Sequence, residues 1–164
     1  MPKLRRANNN MIKVLFVCLG NICRSPLAEA IFKNKVKLNN KSETVDADSC
    51  GTASYHVGED PDARSIELAD ENSIEIDHLG RQLNIRDFFD FDHILAMDSA
   101  NLSEILAVKP SGATARIQLI RDFDSDPETG EVPDPYYGGK KGFQNVFNIL
   151  NRSIDGFASE INLW

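Results

Sequence analysis

The chain has 164 residues, 41% of them hydrophobic and 26% charged, which suits one compact domain with a real core and excludes a chain that is a disordered acidic tail or a coiled coil. A formal net charge of −7 excludes broad nucleic-acid binding, which needs a basic footprint, although a local positive site can still hold an anion. Three cysteines, Cys18, Cys23 and Cys50, are too few and odd in number for a disulfide framework, so free thiols in a reducing, cytoplasmic setting are expected.

Residues 1–10 (MPKLRRANNN) read as a polar, disordered tail, with the folded domain spanning 11–164. The apolar run that follows is short, and it meets Asn21, Cys23 and Arg24 without a small-residue cleavage site, so it is not a signal peptide. No stretch is long enough to span a membrane.

Ile12 to Val17 is short, β-branched and aromatic, the pattern of a buried strand. Ser25-Pro26 then reads as a helix start, Ser25 as N-cap and Pro26 at the first helical position, with Leu27, Ala30 and Ile31 as its apolar stripe. Thr44 to Ser49 is a weaker strand that breaks at Gly51. Asp60-Pro61 opens a second helix carrying Ala63, Ile66 and Ala69. Phe91 to Met97 is a third strand, and Ser99 caps a helix with Leu102, Ile105 and Leu106. Ala115 to Ile120 is a fourth strand. Arg121 to Gly139 is rich in Asp, Pro and Gly and reads as a long loop, a length that usually has a function. Phe143, Val146, Phe147, Leu150, Ile154, Phe157 and Ile161 recur at steps of three and four, which predicts a long amphipathic helix.

Strands alternating with helices predict an α/β three-layer sandwich: a four-stranded parallel sheet with helices on both faces. Ligands in such sheets bind at the carboxyl ends of strands, near a switch in strand order. The loop after the first strand, Cys18-Leu19-Gly20-Asn21-Ile22-Cys23-Arg24-Ser25, lies at such a place.

That loop leads into a helix N-terminus, where unpaired backbone N–H groups and the helix dipole favour phosphate. Gly20 and Asn21 tolerate left-handed backbone angles, so the loop can curl its amides inward. Arg24 supplies a planar cationic fork that matches phosphate oxygens. Cys18 sits at the start of the loop, where the same positive potential favours a thiolate nucleophile. A cysteine and an arginine this close also occur as an inert buried thiol and a surface charge; the strand before them and the helix after decide for chemistry.

Cleavage of an aryl phosphate also needs an acid for the leaving oxygen. Asp134, within Val132-Pro133-Asp134-Pro135-Tyr136-Tyr137, is the best candidate, because its flanking prolines stiffen the backbone and the tyrosines offer flat walls to a ring. Asp122, Asp124 and Asp126 are rivals that local pattern does not exclude.

The segment VLFVCLGNICRSPLAEAIF resembles the signature of the low-molecular-weight protein tyrosine phosphatases, and Asp134-Pro135-Tyr136 is similar to that family's acid loop. The resemblance continues in order from Met11 to the end, through Cys50-Gly51-Thr52, Val57-Gly58, Pro61-Asp62, His78 with Arg81, and Met97-Asp98. It implies hydrolysis of phosphotyrosine through a cysteinyl-phosphate, with Cys18 as nucleophile, Arg24 binding phosphate, and Asp134 as acid and then base. The loop Leu19, Gly20, Asn21, Ile22, Cys23 and Arg24 would bind phosphate. Ser25 would stabilise the Cys18 thiolate, Asn21 would brace the loop with His78 as partner, and Tyr55, Tyr136 and Tyr137 would wall the cleft. No metal or other cofactor is implied. The expected partners are phosphotyrosine proteins or peptides, with neither nucleic acid nor membrane, and the chain as a monomer or weak self-associate through exposed tyrosines.

In this family a second loop cysteine, here Cys23, can pair reversibly with the nucleophile. Ile22 stands where family members acting on phosphoarginine tend to carry Thr, which favours a flat ring; Tyr55-His56 departs from a more common aromatic-plus-Asn pair. The competing readings are an arsenate reductase on the same fold, a phosphoanion-binding module without turnover, and a phosphocarrier. The first needs further cysteines after Cys50, and the chain has none.

Overall fold

The computed structural model describes residues 11–126 and 130–164; the expected polar tail at 1–10 lies outside them. Four strands, β1 (Ile12–Cys18), β2 (Val45–Gly51), β3 (His93–Ala96) and β4 (Arg116–Leu119), form one sheet in the order β2-β1-β3-β4. Every neighbouring pair is parallel, with Val14 opposite Ala47 on one side and His93 on the other.

Strand alternation builds two cores. Val14, Phe16 and Cys18 of β1 and Leu95 of β3 point into a large cluster with α1 (Arg24–Leu38), α2 (Ala63–Glu71) and the last helix. Leu15, Val17, Ile94 and Ala96 point the other way, into a smaller cluster with Phe88, Phe91 and Ile105. The helices on that side are α3 (Asp87–Asp90) and α4 (Ser99–Val108). The last helix, α5 (Gly139–Glu160), runs for 22 residues and buries the expected stripe from Phe143 to Phe157. The central strands are therefore apolar on both faces, as a parallel sheet between helix layers requires.

Several local expectations are corrected. The α1 N-cap is Cys23, with no side-chain cap bond, because the Ser25 hydroxyl turns to Cys18 instead. Pro26 is then the third helical residue, where a missing N–H still costs nothing. The cap of α2 is Asp62 rather than Asp60, its carboxylate accepting from Arg64 N–H at 2.9 Å. The cap of α4 is Asp98 rather than Ser99, accepting from Asn101 N–H at 2.8 Å. The carboxylates two residues after Asp60 and one before Ser99 win because they are the ones that reach the first free amides. Helix α3 was not expected, and a 3-10 turn (Ile120–Phe123) takes the last residue of the expected fourth strand and opens the long loop.

Candidate active site

The loop after β1 lies at the carboxyl end of the sheet, where β1 is flanked by β2 and β3 and the chain switches direction. Its carbonyls are held from outside. Thr52 N–H donates to Cys18 O at 2.9 Å, Ala53 N–H to Leu19 O at 3.0 Å, and Asp62 N–H to Ile22 O at 2.7 Å. Carbonyls drawn outward leave the loop amides for the interior, where Asn21 N–H already donates to Cys18 Sγ at 3.2 Å. Gly51 packs flat beneath the loop, since a Cβ there would lie 2.6 Å from Leu19 O.

Asn21 is the pivot. Its φ of 57° is left-handed, and its side chain is almost fully buried. Arg81 N–H, which can only donate, reaches its Oδ1 at 3.0 Å and so fixes which way the amide points. His78 Nε2 lies 2.6 Å from the same oxygen. Asn21 Nδ2 then donates to Ser25 Oγ at 2.8 Å and Ser49 Oγ at 3.0 Å. Gly20, the other residue expected to be left-handed, is not. It instead gives room to the His56 ring, which a Cβ on Gly20 would meet at 3.1 Å.

Behind Asn21 a buried polar network continues. Ser49 Oγ donates to Glu29 Oε1 at 2.7 Å, Lys33 Nζ donates to Glu29 Oε2 at 2.8 Å, and His78 Nδ1 is 3.2 Å from Glu29 Oε1. Burial raises the Glu29 carboxyl, but the bonds from His78, Lys33 and Ser49 outweigh it, and the net shift is downward. Glu29, Asp48 and His78 place donor atoms within 4.8 Å of one another, the arrangement among the described residues nearest to a metal site. Lys33, Ser49 and Arg81 already engage those carboxylates, which makes the cluster a brace for the loop.

Cys18 is buried, its sulfur 3.0 Å from Ser25 Oγ. Arg24 is also buried, and its Nη1 donates to Asp98 Oδ2 at 2.8 Å and to Val132 O at 2.9 Å. Val132 N–H in turn donates to Met97 O, so the segment leading to Asp134 is stitched to the end of β3. Asp134 is exposed, and its Oδ1 accepts from Tyr136 N–H at 3.0 Å.

Cys23 is buried too, and its thiol is pushed up to about 12, first by burial and then by the charges of Asp62, Cys18 and Asp134. Both Cys18 and Cys23 are free thiols.

The rival aspartates are placed elsewhere. The carboxylate of Asp124 is held by Arg121 and Arg152, and Asp126 lies 3.6 Å from Arg152, both serving the packing of the 3-10 turn against α5. Asp122 sits within that turn. Tyr136 and Tyr137 meet edge to face at 5.0 Å between ring centroids, Tyr137 being 96% exposed, and Tyr55 is also exposed.

Local patterns missed Asp62, Arg64, Ser49, Glu29 and the role of Asp98 at Arg24. Asp62 and Asp98 appeared only within the family resemblance, in Pro61-Asp62 and Met97-Asp98, without a role. Among the described residues, no helix is long and apolar enough to cross a membrane.

A family model for low molecular weight phosphotyrosine protein phosphatase matches residues 13–163. The low molecular weight phosphotyrosine protein phosphatase of Schizosaccharomyces pombe is 49% identical over 153 residues, covering 92% of this chain and 97% of that protein. A crystal structure of a protein tyrosine phosphatase from Entamoeba histolytica, with Hepes in its active site, matches with a TM-score of 0.88 at 40% identity, covering 93% of this chain and 97% of that one. A Drosophila arginine phosphatase matches with a TM-score of 0.86 at 38% identity, covering 92% and 98%.

Proposed function

The chain belongs to the low molecular weight protein tyrosine phosphatases, phosphoric monoester hydrolases, and from that premise we propose that it hydrolyses aryl phosphates through a phosphate ester on Cys18. The observation that carries this reading is the Cys18 sulfur with two hydrogen-bond partners, Asn21 N–H at 3.2 Å and Ser25 Oγ at 3.0 Å, at the floor of an anion loop.

In the first step the Cys18 thiolate attacks phosphorus, the P–O bond to the aryl group breaks, and Asp134 gives its proton to the departing oxygen. In the second, the Asp134 carboxylate takes a proton from water as its oxygen bonds to phosphorus, and the S–P bond breaks to return Cys18 and free phosphate.

The loop amides of Leu19 to Arg24 and the Arg24 guanidinium would hold the three equatorial oxygens. Because Nη1 of Arg24 is committed to Asp98 and Val132, Nε and Nη2 form the edge left for bidentate contact. Ser25 Oγ accepts from Asn21 Nδ2, which can only donate, and its own proton can reach the Cys18 sulfur at 3.0 Å, nearer than Cys50 O at 3.4 Å. That bond makes sulfur a better leaving group in the second step.

Tyr55, Tyr136 and Tyr137 would clasp the ring, and Ile22 on the floor favours a flat phenyl over the longer phosphoarginine. Three free thiols fit a cytoplasmic setting. An arsenate reductase relay lacks its downstream cysteines, and Cys50 is buried with its thiol pushed well up by that burial.

Two measurements test the reading. Peptides bearing phosphotyrosine, phosphoserine or phosphoarginine should show hydrolysis mainly of the first; equal or greater phosphoarginine turnover would overturn the ring preference. Asp134→Ala should lower kcat/KM, which reports formation of the phosphoenzyme, roughly 10²- to 10⁴-fold when the leaving phenol is basic, and much less when it is acidic. A uniform loss would remove Asp134 as the acid.

A further inference from the structure

We propose that Arg64 is a positioning residue that holds Asp134 in register with the nucleophile loop, a role that rests on Asp134 being the acid.

The segment around Asp134 has an unusual anchoring problem. Pro133 and Pro135 flank the acid and have no N–H, so the peptide units joining Val132 to Pro133 and Asp134 to Pro135 offer no donor of their own. Beyond the local turn in which Gly138 N–H donates to Pro135 O at 2.9 Å, donors from elsewhere in the fold reach the carbonyls on either side. Arg24 supplies one, Nη1 to Val132 O at 2.9 Å, two residues before the acid. Arg64 supplies the other, Nη1 to Tyr136 O at 2.8 Å, two residues after it. Asp134 therefore stands at the middle of an arch pinned at both feet by arginines.

Arg64 is itself fixed on several sides, although its side chain is 39% exposed. Its Nε and Nη2 donate to the two oxygens of Asp62 at 3.0 and 2.9 Å. Its guanidinium carbon lies 4.5 Å from the Phe143 ring centroid and 5.2 Å from that of Tyr136, so the cation is held between two aromatic faces. The Asp62 carboxyl is held below its ordinary range chiefly by Arg64, which marks the pair as charged at working pH.

The far end of this chain of contacts is the nucleophile loop. Asp62 caps α2, and its own N–H donates to Ile22 O at 2.7 Å. The path therefore runs from Ile22 through Asp62 and Arg64 to Tyr136, whose N–H meets Asp134 Oδ1 at 3.0 Å. It joins the loop that would hold the phosphate to the group that would protonate its leaving oxygen. An ordinary surface ion pair would tie Arg64 to Asp62 and stop there.

The test is a set of variants read with aryl phosphates of graded leaving-group pKa. Arg64→Met keeps length and apolar contact with Phe143 but has no N–H for Tyr136 O. It should lose roughly ten- to hundredfold in kcat/KM for basic phenols, the scale of a small misplacement of a catalytic group, and much less for p-nitrophenol. Arg64→Lys, which retains an N–H, should recover part of that loss. In an Asp134→Ala background, Arg64→Met should cost little more. A loss equal across all leaving groups, or one that multiplies fully with Asp134→Ala, would overturn the positioning role while leaving the acid assignment standing. If Asp134→Ala itself shows no leaving-group dependence, the acid assignment fails first and the positioning role with it.

Discussion

The Ser25 hydroxyl lies 3.0 Å from the Cys18 sulfur while its oxygen accepts from Asn21 Nδ2 at 2.8 Å. The hydroxyl accepts from Asn21, and its proton has two acceptors in reach, the Cys18 sulfur at 3.0 Å and the more distant Cys50 O at 3.4 Å. On the mechanism proposed above, Ser25 would assist sulfur departure, whereas a cap at that position would have turned the same oxygen toward the helix amides.

Ser25→Ala should therefore slow breakdown of the phosphoenzyme more than its formation. A hydrogen bond to a charged atom is worth about 1.5–3 kcal/mol, which is roughly ten- to hundredfold in that step. Stopped-flow measurement with p-nitrophenyl phosphate should show a burst near one equivalent of phenol, then a slow steady state. Unchanged steady-state turnover without a burst would contradict the role.

Asn21 combines a left-handed backbone with buried bonds to Ser25, Ser49, His78 and Arg81. Asn21→Ala loses both the bonds and the backbone tolerance, and should cost about 2–4 kcal/mol of stability. Asn21→Gly loses only the bonds and should be more stable than Asn21→Ala by about 1 kcal/mol. Urea midpoints give the ranking; an alanine variant as stable as the glycine variant would show that the backbone angle matters little.

The main strands and α5 were legible because their apolar residues repeat at periods that no loop sustains. The loop after β1 was legible because Cys18 and Arg24 bracket a strand-to-helix turn. The helix caps were misplaced by one or two residues because Ser25, Asp60 and Ser99 have the right chemistry, and only geometry shows that Cys23, Asp62 and Asp98 occupy the cap. The anchors of Asp134 were invisible for a different reason. Arg24 and Val132 are 108 residues apart, and Arg64 and Tyr136 are 72 apart, so no local spacing records them. Exclusion of Asp124 likewise needed Arg152, 28 residues away.

Glu29 gives a pH-dependent contribution to stability. Its carboxyl is shifted downward in the folded chain, with hydrogen bonds from His78, Lys33 and Ser49 overcoming burial. A depressed carboxylate contributes stability that is complete above its unfolded value, about 4.3, and is lost as pH falls through the lower folded value. Glu29→Gln should be less stable than the parent at pH 7, and the gap should narrow below about pH 4. Thermal midpoints across that range check the sign; a gap that widens in acid would contradict it.

The most direct test is to look for phosphate on sulfur. Asp134→Ala removes the base for the second step, so a turnover with p-nitrophenyl phosphate, quenched in acid and digested, should carry one phosphoryl group on the peptide containing Cys18. Cys18→Ser should show neither turnover nor label. Steady hydrolysis with Cys18 never phosphorylated, or with the phosphoryl group on another side chain, would contradict nucleophilic catalysis by this cysteine.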